Sequence, residues 1–138
     1  MSNSRAEDEA AIKAVLVDSY KAWDAGDADG MVANYTADAT AIMTGSLRDS
    51  RDVIRQSMAL SFEGPLKGSS TYNKQLSIRF VGREGDGAIV VSESGILFAG
   101  ETEVPDPRKV NATWVFEKQD GQWLIAAYHN SPVQVPGN

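Results

Sequence analysis

The stretch Phe62-Glu-Gly-Pro-Leu-Lys-Gly-Ser-Ser-Thr-Tyr-Asn-Lys-Gln-Leu-Ser-Ile-Arg-Phe-Val81 divides the chain into two halves of different periodicity. Before Gly64-Pro65, a helix-stopping pair, apolar residues recur at three- and four-residue steps, as on one face of a helix. After Gly68 they recur at about every second residue, the repeat of a strand, and continue so almost to the end. Helices first and a strand meander afterwards predict an α+β domain, with the helices packed on one face of an antiparallel sheet.

Upstream, Ile12, Val15, Leu16, Tyr20 and Trp23 share one face of a helix running from Glu7 to Ala25 and ended by Gly26. Asp27 can cap a second helix reaching about Tyr35, burying Met31, Val32 and Tyr35. Ala39 to Met43 reads as a short strand followed by a Gly45 turn. Ser50 can cap a third helix carrying Val53, Ile54, Met58 and Phe62. Downstream, four strands are predicted at Thr71 to Val81, Ala88 to Ala99, Lys109 to Lys118 and Gln122 to Asn130. Gly82 to Gly87 and Asp120-Gly121 form turns, and Gly100 to Arg108 a longer loop with prolines. A single domain over 7–131 is expected, between a flexible N-terminus (1–6) and a C-terminal tail (132–138).

The 138 residues, 42% hydrophobic, suffice to bury a core without disulfides or a structural metal. The absence of cysteine excludes thiolate chemistry and cysteine-ligated metal centres, and is compatible with a reducing cytoplasm. A net charge of -6 repels phosphate backbones and anionic lipid, so neither nucleic acid nor membrane is expected as a partner. Arg48, Arg51 and Arg55 are the one loose basic group and read as a solvated helix face. Without an apolar leader in MSNSRAEDEA or a run of roughly 20 apolar residues, a soluble cytoplasmic protein is expected.

In the last strand Leu124, Ala126 and Tyr128 alternate with Trp123, Ile125 and Ala127, so both faces look apolar. Since the helices cover one face, the other is expected to meet a second copy, giving a homodimer through the outer face of the sheet.

Three segments carry a family resemblance: Trp23-Asp-Ala-Gly-Asp-Ala-Asp-Gly-Met31, Tyr35-Thr-Ala-Asp-Ala-Thr40, and Asp120-Gly-Gln-Trp-Leu-Ile125 with His129-Asn-Ser131. Together they resemble the nuclear-transport-factor-like superfamily, and within it the SgcJ/EcaC type of SnoaL-like proteins, some encoded with enediyne polyketide pathways. The resemblance implies a curved, mixed but mainly antiparallel sheet that forms a cone with an interior pocket. It does not fix an activity, because one fold hosts many functions. In ketosteroid isomerase, a member of the superfamily, an aspartate base, a helix tyrosine and a protonated sheet aspartate do the work. Alignment through the Ala-Gly-Asp-x-Asp-Gly run puts Met43, Ser19 and Ala112 at those positions, so that reaction is excluded.

The same alignment places Ser19, Trp23, Tyr35, Met43 and Met58 on the pocket wall, with Phe62, Tyr72, Trp114, Tyr128 and Asn130. An aromatic and Met-rich lining suits a flat or polyene-like hydrophobic small molecule, although the same side chains could simply fill a core. Glu93 is the candidate catalytic acid: pairing across the Gly82 to Gly87 turn puts it with Ile89 and Val91, opposite an inward Leu76. A one-residue slip would turn it to solvent. His129 is the sole histidine and a candidate base, but alternation with Tyr128 and Asn130 sends it toward the expected dimer face. Asp38 reads as a turn cap.

No cofactor or metal is expected. The Asp27-x-Asp29-Gly30 run lacks the Glu that closes a calcium loop, and Gly82, Gly85 and Gly87 fall in a hairpin rather than between strand and helix. The resemblance implies an accessory protein of polyketide biosynthesis, enediyne pathways included, and the lining implies a hydrophobic polyketide or polyene intermediate as its ligand. The alternatives are a cyclase, isomerase or dehydratase using Glu93 or His129, and a dimeric adaptor without a small-molecule ligand.

Overall fold

The structure, a computed structural model, describes residues 4–133. Helix α1 (Arg5–Asp24) starts where the Ser4 hydroxyl accepts the Glu7 amide, and Glu7 and Asp8 in its first turn complement the helix dipole. Helix α2 (Ala28–Val32) is capped by the Asp27 carboxylate on the Gly30 amide, and α3 (Arg51–Glu63) by the Ser50 hydroxyl on the Val53 amide. The strands are β1 (Tyr35–Met43), β2 (Ser46–Arg48), β3 (Ser70–Val81), β4 (Gly87–Leu97), β5 (Val110–Gln119) and β6 (Gln122–Pro132). They form one sheet in the order β2-β1-β6-β5-β4-β3, parallel only between β1 and β6. The α+β expectation holds, and the sheet is mixed but mainly antiparallel as the resemblance implied.

Four boundaries differ from expectation. Tyr35 opens β1 rather than closing α2, because the Ile125 amide donates to the Asn34 carbonyl (2.8 Å) and Tyr35 pairs with Ile125. β2 was not foreseen; three residues are too few to show a period. Arg5 and Ala6 are helical, fixed by the Ser4 cap, rather than part of a flexible terminus. Pro132 belongs to β6, where it pairs with Val110. The remainder of the expected terminal segments, 1–3 and 134–138, lies outside the described residues.

A bulge in β6 explains the apparent apolarity of both its faces. Val115 pairs with Ala127 and Phe116 with Ile125, so Ala126 is an extra residue and the alternation changes phase there. Trp123 and Ile125 before it, and Tyr128 and Asn130 after it, therefore share the inner face. Leu124, Ala127 and His129 share the outer one.

The helices pack on the inner face, where Ile12 of α1 and Ile54 of α3 meet Phe116 and Ile125 in the core. Each of these four is at most 1% exposed and contributes roughly 1.5–3 kcal/mol of burial. Asp8 fastens α1 to the sheet: its carboxylate accepts the Trp123 indole N–H (3.1 Å) and lies 3.4 Å from the Lys118 ammonium. Among the described residues no helix is long and apolar enough to cross a membrane.

Candidate functional site

The inner face is built of cross-strand rows, and their chemistry changes along the cone. The first row, Tyr35-Ile125-Phe116-Ala88-Phe80, is packed against the helices and closes one end. The next is Arg48-Ala41-Tyr128-Trp114-Val90-Ile78. Beyond it lie Asn130, Ala112 and Ser92, then Pro132, Val110, Ser94 and Asn73. The core is thus solid at one end, while a cavity of about 450 Å³ opens over the second row and those beyond it.

Three elements supply the opposite wall. Helix α1 contributes Ser19, Tyr20 and Trp23, whose indole N–H donates to the Ser69 hydroxyl (3.0 Å). Helix α3 contributes Met58, whose sulfur lies 3.2 Å from Arg48 Nη1. The loop between β4 and β5 brings Pro107 and Arg108 to the mouth. Small Ala41, between Arg48 and Tyr128, leaves room for both longer side chains to reach over it.

Three phenols meet in this space. Burial, and secondarily the proximity of Tyr128, pushes the Tyr20 and Tyr35 hydroxyls well above the usual phenol range. Burial likewise raises Tyr128, against the opposing hydrogen bond from Asn130 Nδ2 to its oxygen (2.8 Å). All three are neutral hydrogen-bond donors at neutral pH. Burial lowers the Arg48 guanidinium, an effect partly offset by Tyr35, but an arginine remains charged. Arg48 Nε, Arg108 Nη1 and Trp114 Nε1 are buried and have no hydrogen-bond partner among the described residues. Ser94 and Asn73 add polar groups to the wall: Ser94 donates to Asn73 Oδ1 (3.0 Å), and its hydroxyl lies 3.1 Å from that of the buried Ser92 behind it.

Of the side chains expected on the wall, Ser19, Trp23, Tyr35 and Met43 are there, as are Met58, Trp114, Tyr128 and Asn130. Phe62 is not: it packs edge-on against Trp23 (5.4 Å between centroids) as part of the helix layer. Tyr72 is on the outer face, paired with Gly95, and its hydroxyl donates to Glu93 Oε1 (3.1 Å). Glu93 is therefore also outside the cavity, contrary to expectation. In β4 the buried, inward residues are Ala88, Val90, Ser92 and Ser94. Leu76, the supposed inward partner, is the extra residue of a bulge between Gln75 and Ser77 and is 53% exposed. The hydrophobic pattern misleads here because the inward face of β4 carries Ser92 and Ser94 while Ile89 and Val91 lie outside.

His129 is exposed on the outer face, where alternation put it, in register with Thr113 and Ile42. Asp38 accepts the Thr36 hydroxyl (2.9 Å) within β1, so it lies in a strand and caps no turn, contrary to expectation. Ser19 and Met43 do line the cavity, and Ala112 is buried in the row between Asn130 and Ser92. Arg48 was read as part of a solvated group; β2 instead sets it in the cavity wall. Arg51 Nη1 donates to the Tyr35 carbonyl (3.2 Å), and Arg55 stands 3.9 Å from Asp29. Tyr20, one helical turn before Trp23, had a legible signal in its helix face; Arg48, in an unseen strand, had none. Among the described residues, no group of three or more His, Asp or Glu side chains is placed to hold a metal.

This helix-backed curved sheet with an interior cavity is the cystatin-like cone, and solved structures share it. A domain of unknown function with a cystatin-like fold from Nostoc punctiforme superimposes with a TM-score of 0.85 at 24% identity, covering 97% of this chain and 82% of its own. A nuclear-transport-factor-2-like protein from Novosphingobium aromaticivorans gives 0.79 at 17% identity, with 96% and 84% covered. A protein from the same organism, named as a candidate scytalone dehydratase, gives 0.73 at 18% identity, with 98% and 93% covered. At these identities the likeness is one of fold. No curated protein matches the sequence. Residues 12–136 match the SnoaL-like domain family, and the chain belongs to it.

Proposed function

We propose that the chain is a cofactor-independent accessory protein of polyketide biosynthesis, of the enediyne-associated SgcJ/EcaC kind, that binds a hydrophobic polyketide or polyene intermediate. The observation that carries this reading is the cavity itself. It is about 450 Å³, walled largely by Trp23, Met43, Met58, Trp114 and Tyr128, and Ser94, Asn73 and Asn130 add polar groups to its wall. Flat aromatics provide stacking area, Met adapts to irregular shape, and a few polar groups fix orientation. Among the described residues no Asp, Glu or His lines the cavity, which favours binding over proton abstraction by such a base. Glu93 and His129 lie on the other face of the sheet.

One observation favours the cyclase or isomerase alternative: neutral Tyr20, Tyr35 and Tyr128 and the Arg48 guanidinium could stabilise an enolate oxygen in a substrate that cyclises by itself. The binder and the enzyme are separated by incubating a poly-β-ketone with the protein and following product formation. Binding is tested by titrating the protein with emodin, a flat tricyclic polyketide, while following tryptophan fluorescence. Saturable quenching at one molecule per chain is expected; linear, non-saturating quenching would leave the adaptor. The proposal includes a homodimer through the outer sheet face, supported by the rows Ile89-Val115-Ala127 and Val91-Thr113-His129-Ile42.

A further inference from the structure

The chain carries a net charge of -6, yet among the described residues its cavity is lined by Arg48, Arg108 and Lys109 and by no carboxylate. Two of these cations have anionic partners: Arg108 pairs through Nη2 with Glu101 (2.6 Å), its buried Nη1 having no hydrogen bond among the described residues, and Lys109 pairs with Asp106 (3.0 Å). Arg48 has no anionic partner among the described residues. Its Nη1 meets the Met58 sulfur, a weak acceptor, and its Nε meets nothing. Tyr35 and Tyr128 beside it are phenols, not carboxylates. In the same cross-strand row, Trp114 Nε1 is a second buried donor without an acceptor.

Buried donors are paired in nearly all folded proteins, and leaving one unpaired is costly, more so when it is charged. A guanidinium presents a planar fork that matches a carboxylate in two parallel hydrogen bonds. We infer that the cavity is selective for apolar acids: a ligand with a flat or polyene body seated among the aromatics and a carboxylate bound by the Arg48 guanidinium, with Trp114 Nε1 offered to a further oxygen. The inference rests on the reading of the cavity as a ligand site, and adds to it the charge and position of the ligand's head group. It places the neutral phenol of Tyr128 between the two donors, where it can bond either oxygen.

The test compares 2-naphthoic acid with 2-acetylnaphthalene, its neutral methyl ketone of nearly the same shape, by calorimetric titration at pH 7. The wild-type protein is expected to bind the acid at least roughly ten-fold more tightly, the gain of one charge-assisted hydrogen bond over a neutral one. Arg48→Met is expected to abolish that preference while leaving the ketone's affinity within about two-fold, and Arg48→Lys to keep part of it. Thermal midpoints of the two variants establish that they fold. Equal affinity for both probes in the wild type, or a preference that survives Arg48→Met, overturns the inference and leaves the cavity a neutral apolar site. Failure of both probes to bind the wild type overturns the ligand-site reading itself, and the inference with it.

Discussion

Asp8 is 4% exposed at the base of the fold, yet it is a charged residue in the first turn of a helix and would ordinarily be taken as solvated. Its partners, the Trp123 indole and the Lys118 ammonium, are more than a hundred positions away in sequence, and no local pattern announces them. Asp8→Ala is expected to cost about 2–3 kcal/mol in urea unfolding, because it leaves the buried Trp123 N–H and the partly buried Lys118 ammonium without this carboxylate. Asp8→Asn, which retains an acceptor, should cost less. Glu93 behaves oppositely: Glu93→Gln should leave ligand affinity within about two-fold, since the carboxylate lies across the sheet from the cavity. A ten-fold loss would place Glu93 back in the site. Ser19, Met43 and Ala112 show what the sequence could reveal at this scale, because an inherited position is countable along an ungapped run and its lost acid is visible directly.

At the level of elements, apolar periodicity and capping residues were enough to locate three helices and five of the six strands, but bulges were not visible. A bulge inserts one residue and reverses every later side chain, and nothing in Ile125-Ala-Ala127 marks which alanine is the extra one. The orientation of Glu93 is hidden for a related reason, since Leu76 occupies the bulge of the neighbouring strand. The loop between β4 and β5 also depends on one close approach. A Cβ at Gly95 would come within 2.6 Å of Val104 Cγ1, and this loop carries Pro107 and Arg108 to the cavity mouth. Gly95→Ala is therefore expected to lower stability by about 1–3 kcal/mol and to weaken ligand binding through the displaced loop, read by urea unfolding and titration together. Unchanged stability would show that the loop accommodates the methyl without strain.

For the whole molecule, the raised phenols predict a pH dependence. Tyr20, Tyr35 and Tyr128 have folded pKa values above the ordinary 10.0, so the folded state holds protons that the unfolded state gives up. Their contribution is fully present below pH 10 and is lost as pH rises from there through the folded values. Tyrosinate absorbance should therefore appear together with loss of the folded circular-dichroism signal. Ionisation of these three at the free-phenol pH in a still-folded chain would contradict their burial. Sedimentation at increasing concentration tests the proposed dimer: a mass approaching twice 14.9 kDa is expected, and a constant monomer mass would refute it. The α+β class was legible because it depends on the order of two periodicities, whereas the cavity's charge depends on Arg48, in a strand too short to announce itself. The central claim, that this cone holds an apolar ligand over its second row, is tested most directly by calorimetry of emodin with wild type and Ala41→Phe. Ala41 lies beneath the cavity between Arg48 and Tyr128, and a phenyl ring there would occupy the ligand's space. The account predicts saturable binding to the wild type and none to a folded Ala41→Phe. Equal binding to both would put the ligand elsewhere and contradict it.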